Sequence, residues 1–198
     1  MKRFSTRTLS ATAVVSALLI FRAAPSMTEA APQVAPAYTS GGELVIPADY
    51  RSWIFLTSNI NMGYPSEGTP PANMPTMFGN VFVNPEAYRS FITTGTWPDK
   101  TIMMIENRGS GHTAALNNDS RFQTEPHGLE FHVKDAAHGG WTFYSARPGN
   151  ASATPFAKTK SCYSCHEKNG AVDTTFVQYY PTLIDIAKQK GTFRKSAE

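Results

Sequence analysis

Both cysteines of the 198-residue chain fall in one six-residue stretch, Ser161-Cys162-Tyr163-Ser164-Cys165-His166. A C-x-x-C-H run ties the fold to one planar group. Two thiols a helical turn apart can add to the two vinyl groups of a single porphyrin, and the adjacent imidazole then reaches the iron, which is the c-type haem attachment signature. Three other uses of the spacing compete. A thioredoxin-like dithiol belongs at the start of a helix in a βαβ unit, whereas this pair comes late, after strands that read as antiparallel. A structural zinc site takes further cysteine or paired histidine ligands, and a short-loop disulfide has no need of the histidine. With an export signal upstream and no third cysteine, covalently attached haem c (iron) is the expected cofactor. Cys162 and Cys165 are the expected thioether links and His166 the metal ligand.

That export signal is read from the first 31 residues. Lys2, Arg3 and Arg7 form a positive start, residues 11–21 an apolar run, and Ala23, Ala24, Ala30 and Ala31 supply small residues for cleavage. This is the pattern of a secretory signal peptide, and it implies a periplasmic protein if the source is a Gram-negative bacterium. The apolar run is about half of the roughly 20 residues that cross a bilayer, so no membrane insertion is expected after processing. The charge balance follows from the same segment. Of 18 basic and 15 acidic side chains, 14 of each remain from Pro32 onward, so the net +3 belongs to the precursor and implies no nucleic-acid partner. Residues 32–41 read as a linker and 42–198 as one haem domain. A domain of that size buries on the order of 70% of the surface its unfolded chain exposes and needs no disulfide framework.

Within that domain the patterning is α+β. Asp49 is placed to cap a short turn before residues 53–57, and residues 59–75 form a proline-rich loop. Residues 78–83 read as a strand. Asn84-Pro85-Glu86 then supplies an N-cap, a proline at the first helical position and an acid in the first turn, which predicts a helix over 85–93 stopped by Gly95. Residues 101–108 are strand-like and 109–120 a Gly/Asn/Ser-rich connection. Leu129, Phe131 and Val133 alternate with Glu130, His132 and Lys134. Trp141, Phe143 and Ser145 alternate in the same way, so an antiparallel hairpin turning at 135–140 is expected, with His132 on a polar face. Residues 174–179 and 181–188 read as helices, the latter with Lys188 and Lys190 at its basic end. The expected architecture is an antiparallel β-sheet of about five strands with short helices, the haem motif lying near the C-terminus.

The sixth ligand decides what a haem protein does. Met62, Met74, Met77, Met103, Met104, His112, His127, His132 and His138 are the candidates by residue type. None lies in a ligand motif, and methionines more often fill cores.

Several segments resemble the cytochrome P-460 family, which includes the cytochromes c′-β. They are Gly42-Glu-Leu-Val-Ile-Pro47 with Tyr50-Arg-Ser-Trp53, and Val81-Phe-Val-Asn-Pro-Glu-Ala-Tyr88 with Thr94, Gly95 and Asp99. Gly128-Leu-Glu130 follows with Val133-Lys-Asp135 and Trp141-Thr-Phe143, then Cys162 to His166 with Asp173, Phe176, Gln178, Tyr180, Pro181 and Leu183. The resemblance implies a β-rich homodimer with five-coordinate iron on His166 and an open distal side. Members with a haem-linked lysine on the strand after the Thr-Gly segment oxidise hydroxylamine; relatives without it bind nitric oxide in an apolar pocket. Here the aligned position is Ile105, which cannot make that bond, and Lys100 lies five residues earlier, about 16 Å along an extended strand.

Phe78, Phe82, Ile102, Met104 and Ile105 are accordingly expected to wall an apolar haem pocket suited to a neutral diatomic ligand. Glu106 and Arg108 are its expected polar groups, as proton acceptor and hydrogen-bond donor. The function expected is binding or detoxification of nitric oxide or related nitrogen oxides. Hydroxylamine oxidation and electron transfer with a redox partner protein are the alternatives.

Overall fold

The computed structural model describes residues 34–62, 75–112 and 120–195. The expected signal peptide, Met74, most of the proline-rich loop and much of the 109–120 connection lie outside these residues. From Pro32 onward the chain forms one unit. Among the described residues no helix is long and apolar enough to cross a membrane.

The described chain forms an α+β structure around one antiparallel sheet. Its strands are β1 (Leu44–Val45), β2 (Ile54–Ile60), β3 (Met77–Val83), β4 (Thr101–Gly111), β5 (Phe122–Asp135), β6 (Gly140–Ala146) and β7 (Ser152–Pro155). They lie in the order β1-β7-β6-β5-β4-β3-β2. The sequence reading expected about five strands. The two extra ones, β1 and β7, are two and four residues long, too short to show an alternation, and they exist because they pair with each other and with β6. Strands β2 and β4 also run into stretches read as loops, because the ladder carries Asn59, Ile60, Ser110 and Gly111 along with it.

Helix α1 (Pro85–Thr94) forms where its signals place it. Ala87 and Phe91, four apart, bury one stripe, and Gly95 closes the helix at φ 77° with its N–H on Phe91 O at 2.7 Å. Asn84 begins the helix through its backbone only. Its Oδ1 accepts from Ile102 N (2.8 Å) and its Nδ2 donates to Val34 O (3.3 Å), so the side chain fastens the helix start to β4. Asp49 likewise caps the turn at Tyr50–Ser52 without a side-chain bond. The expected hairpin is present as β5 and β6, with His132 opposite Phe143 and Asp135 opposite Gly140.

Cross-strand partners share a face, and both faces are covered. One carries Ile102, Met104, Phe131, Val133 and Tyr144 against Leu44, Tyr50, Trp53 and Ala153. Residues 34–41, read as a linker, are fastened to the described unit: Tyr38 bridges Leu44, and its hydroxyl donates to Asp135 Oδ2 at 3.0 Å. The other face carries Val83 and Met103 beneath α1, Trp97 and the C-terminal segment, with Val172, Val177, Tyr180, Leu183 and Ala187 in the same cluster. His132 is therefore buried (7% exposed) instead of lying on a polar face.

Residues 174–179 do not form the helix expected of them. Thr175 Oγ1 donates to Val172 O at 2.7 Å, a local bond that competes with helix formation, and only Val177–Tyr179 makes a 3-10 turn. The last helix, α3 (Ile184–Gln189), starts three residues after Pro181.

Candidate haem site

Helix α2 (Ser161–Asn169) carries the whole C-x-x-C-H run. At 3.6 residues per turn, Cys162, Cys165 and His166 fall on one side of it. Burial pushes the Cys162 thiol up, and Asn169 Nδ2 lies 3.4 Å from Cys165 Sγ. His166 faces the sheet between Phe143 and Phe176, with ring centroids at 4.6 and 4.2 Å. Its Nδ1–H donates to Thr174 O at 2.7 Å, because a carbonyl can only accept. That bond fixes the tautomer and leaves the lone pair on Nε2, the arrangement of a metal-ligating histidine. Burial holds the ring below the usual histidine range, against the opposing pull of the Thr174 carbonyl, so it stands neutral as a ligand must.

The turn presenting that carbonyl is tight. Gly170 N donates to His166 O at 2.9 Å, and Asp173 sits at φ 52°. Trp97 Nε1 donates to Thr175 Oγ1 at 2.8 Å, which pins the turn to the core. A Cβ on Gly170 would lie 2.7 Å from His166 O and 2.8 Å from Thr174 C and Thr175 N, all main-chain atoms that cannot swing aside. Gly170→Ala is thus expected to cost about 2 kcal/mol of stability, read by urea unfolding; a change under about 0.5 kcal/mol would mean that the turn yields.

His166 opens onto a cleft that encloses about 120 Å³ and is partly open to solvent. The sheet contributes Val81, Met103, Ile105, Glu130, His132 and Phe143, and the C-terminal segment Thr175, Phe176, Tyr179 and Tyr180. The predominance of apolar and aromatic side chains, the neutral imidazole and the two thiols on one helix side fit a porphyrin held by α2 on one side and the sheet on the other.

The expected pocket residues divide by strand parity. Ile105 lines the cleft. Ile102 and Phe82 pack in the cluster on the opposite face, Phe82 with its ring edge-on to Tyr50 and Phe55. Phe78 falls on that face too, opposite Arg108. Met104 touches the cleft, although its side chain belongs to the far cluster.

Glu106 and Arg108 also lie on the far face, since Glu106 pairs with Leu129. Glu106 is 3% exposed, accepts from Tyr50 Oη (2.7 Å) and Arg108 Nη1 (3.2 Å), and is ion-paired to Arg51. Burial alone would raise its carboxyl; the hydrogen bonds from Tyr50, Arg51 and Arg108 win and hold it below its ordinary 4.5. This is an ionised structural cluster across the sheet from His166. Lys100 is committed elsewhere as well, ion-paired to the buried carboxylate of Asp135.

Of the sixth-ligand candidates, Met62, Met103, Met104 and His132 line the cleft with His166. His127 stands beside Glu125 (3.4 Å) and His138 beside Asp135 (3.0 Å). Sequence reasoning did not pick out Val81, Glu130, Phe143 or Thr174 as site residues. Parity could have found the first three: once Ile105 faces inward, its partners Val81 and Glu130 must as well.

The family model described as Cytochrome P460 matches residues 47–177, about two thirds of the chain, including the C-x-x-C-H run. The chain belongs to the cytochrome P460 family. Membership implies haem as the cofactor. No curated protein matches the chain.

Proposed function

We infer that this cytochrome P460 family member is an exported, periplasmic c-type haem protein that binds or detoxifies nitric oxide or related nitrogen oxides. Cys162 and Cys165 carry the thioether links and His166 is the axial ligand. Residues 1–31 act as the export signal and 42–198 as the haem domain, and the family resemblance extends to a homodimer.

The observation that carries this reading is Ile105 on the cleft wall, where the resemblance assigns a lysine to hydroxylamine-oxidising members. Val81 and Met103, its neighbours on the same face, make that stretch of wall apolar, which favours a neutral diatomic over a charged ligand. Bound in the cleft, haem supplies an iron centre that takes a diatomic ligand and exchanges an electron. The chain's own residues hold the ligand imidazole neutral, exclude water along the Val81–Met103–Ile105 wall and keep a carboxylate, Glu130, at its edge.

The test is the ultraviolet-visible spectrum of the purified holoprotein, ferric and dithionite-reduced, followed by nitric oxide titration of the ferrous form. A high-spin haem c spectrum and stoichiometric binding are expected. Ile105→Gln, which brings a polar group to that wall, is expected to weaken nitric oxide binding about tenfold. A low-spin spectrum without binding would overturn the reading in favour of an electron carrier with Met103 or Met62 as second ligand. A strongly red-shifted ferrous Soret band would indicate a cross-linked macrocycle.

Glu130 favours the second reading, hydroxylamine oxidation, because it places a proton acceptor at the cleft where Glu106 cannot serve. Hydroxylamine turnover with an electron acceptor, lost in Glu130→Gln and kept in Glu106→Gln, would establish that activity.

A further inference from the structure

We propose that His132 is a positioning residue for iron ligation and that it acts on His166 through Thr174. The inference rests on the haem reading above and goes beyond it, to how the protein sets the strength of the axial ligand.

Thr174 touches both histidines with different atoms. Its carbonyl accepts from His166 Nδ1 at 2.7 Å, while its Oγ1 lies 3.2 Å from His132 Nε2. Without a partner for Oγ1, the residue bearing the carbonyl would depend on the turn alone for its orientation. His132 is itself held firmly. It stacks on Phe143 at 4.0 Å and 11°, packs against Trp141 at 4.1 Å and meets His166 edge-on at 5.1 Å. Because β5 pairs with β4 and β6 on either side at this position, its backbone cannot drift. The sheet thus fixes His132, His132 fixes Thr174, and Thr174 fixes the ring plane and donor strength of His166. Outer hydrogen bonds of this kind raise the basicity of a ligating histidine, and their loss typically costs 10- to 100-fold in metal affinity.

A more basic imidazole favours ferric over ferrous iron. Thr174→Val keeps the carbonyl and the branched shape but removes Oγ1; His132→Phe keeps a ring on Phe143 but removes Nε2. In the holoprotein each is expected to lower the preference for ferric iron about tenfold, an upward shift of about 59 mV in the one-electron reduction potential. In the ferrous form each is expected to lower the iron–histidine stretching frequency by resonance Raman. The double variant should shift no further than either single one, and His132→Gln, which restores a polar group near Oγ1, should recover most of the potential.

Variants that lose stability but keep the wild-type potential would overturn the proposal and leave His132 a packing residue. Shifts that add in the double variant would overturn it too, since the two residues would then act separately. Thr174→Val, at a half-buried position, preserves the test if His132→Phe does not fold. A purified protein without haem would overturn the functional reading and this inference together; a haem protein with unmoved potentials would overturn this inference alone.

Discussion

In the haem-loaded protein, His166→Ala is expected to keep its pigment while losing its native ligation. On the proposed reading the two functions of the motif separate because they use different bonds: Cys162 and Cys165 would hold the macrocycle by thioethers, whereas the imidazole alone would reach the iron. Alanine also removes the ring lying between Phe143 and Phe176, which leaves a polar acceptor, Thr174 O, facing a void. The alkaline pyridine haemochrome, which reports thioether attachment, should be unchanged. The ferric spectrum should change fully and the reduction potential rise, and added imidazole should restore much of the original spectrum by entering the vacated space. A His166→Ala protein with the wild-type spectrum would remove His166 from the ligand position and send the assignment to His132, the other histidine at the cleft.

The second large effect is expected far from the iron. Glu106→Ala removes a buried carboxylate that three groups share and leaves the Tyr50 hydroxyl, at 5% residue exposure, without its acceptor. Hydrogen bonds to charged groups are worth about 1.5–3 kcal/mol, and breaking a buried pair costs about 3–5 kcal/mol. Arg51 has 58% of its side chain exposed and recovers much of its share from water, so the expected loss is about 3 kcal/mol by urea unfolding at pH 7. The sign with pH follows from the lowered carboxyl. The folded protein binds this proton less readily than the unfolded chain, so the cluster's stabilisation is present in full above 4.5 and is lost as pH falls through the lower folded value. Wild type should lose stability over that acid range and Glu106→Ala should lose less. Nitric oxide binding by the variant should match wild type; a large loss of binding with little change in stability would return Glu106 to the site.

How Ile105 and Glu106 differ shows what a sequence leaves undecided. They are adjacent on β4, and strand geometry requires that only one face the haem cleft. The pattern Thr-Ile-Met-Met-Ile-Glu-Asn-Arg is apolar at both parities through Ile105, because both sides of the sheet are covered here. A strand buried on both sides shows no alternation to read. The same condition misled the reading of His132: period two correctly separated it from Phe131, but no local signal announced that the C-terminal segment covers its side.

What the sequence determined by itself is what short-range geometry can decide. The spacing of Cys162, Cys165 and His166 puts the two thiols and the imidazole on one helix side, Pro85 and Gly95 bound a ten-residue helix, and the β5–β6 hairpin follows from alternation on either side of a short turn. Only the tertiary structure decided which face of β4 meets the cleft, that Thr174 gives its carbonyl to His166, and that Glu106 is spent on Tyr50, Arg51 and Arg108. Those outcomes depend on residues 34–53 covering one side of the sheet and residues 171–187 the other. The segments are more than a hundred residues apart in the chain, and the burial that selects their places is non-directional, so it leaves no local mark.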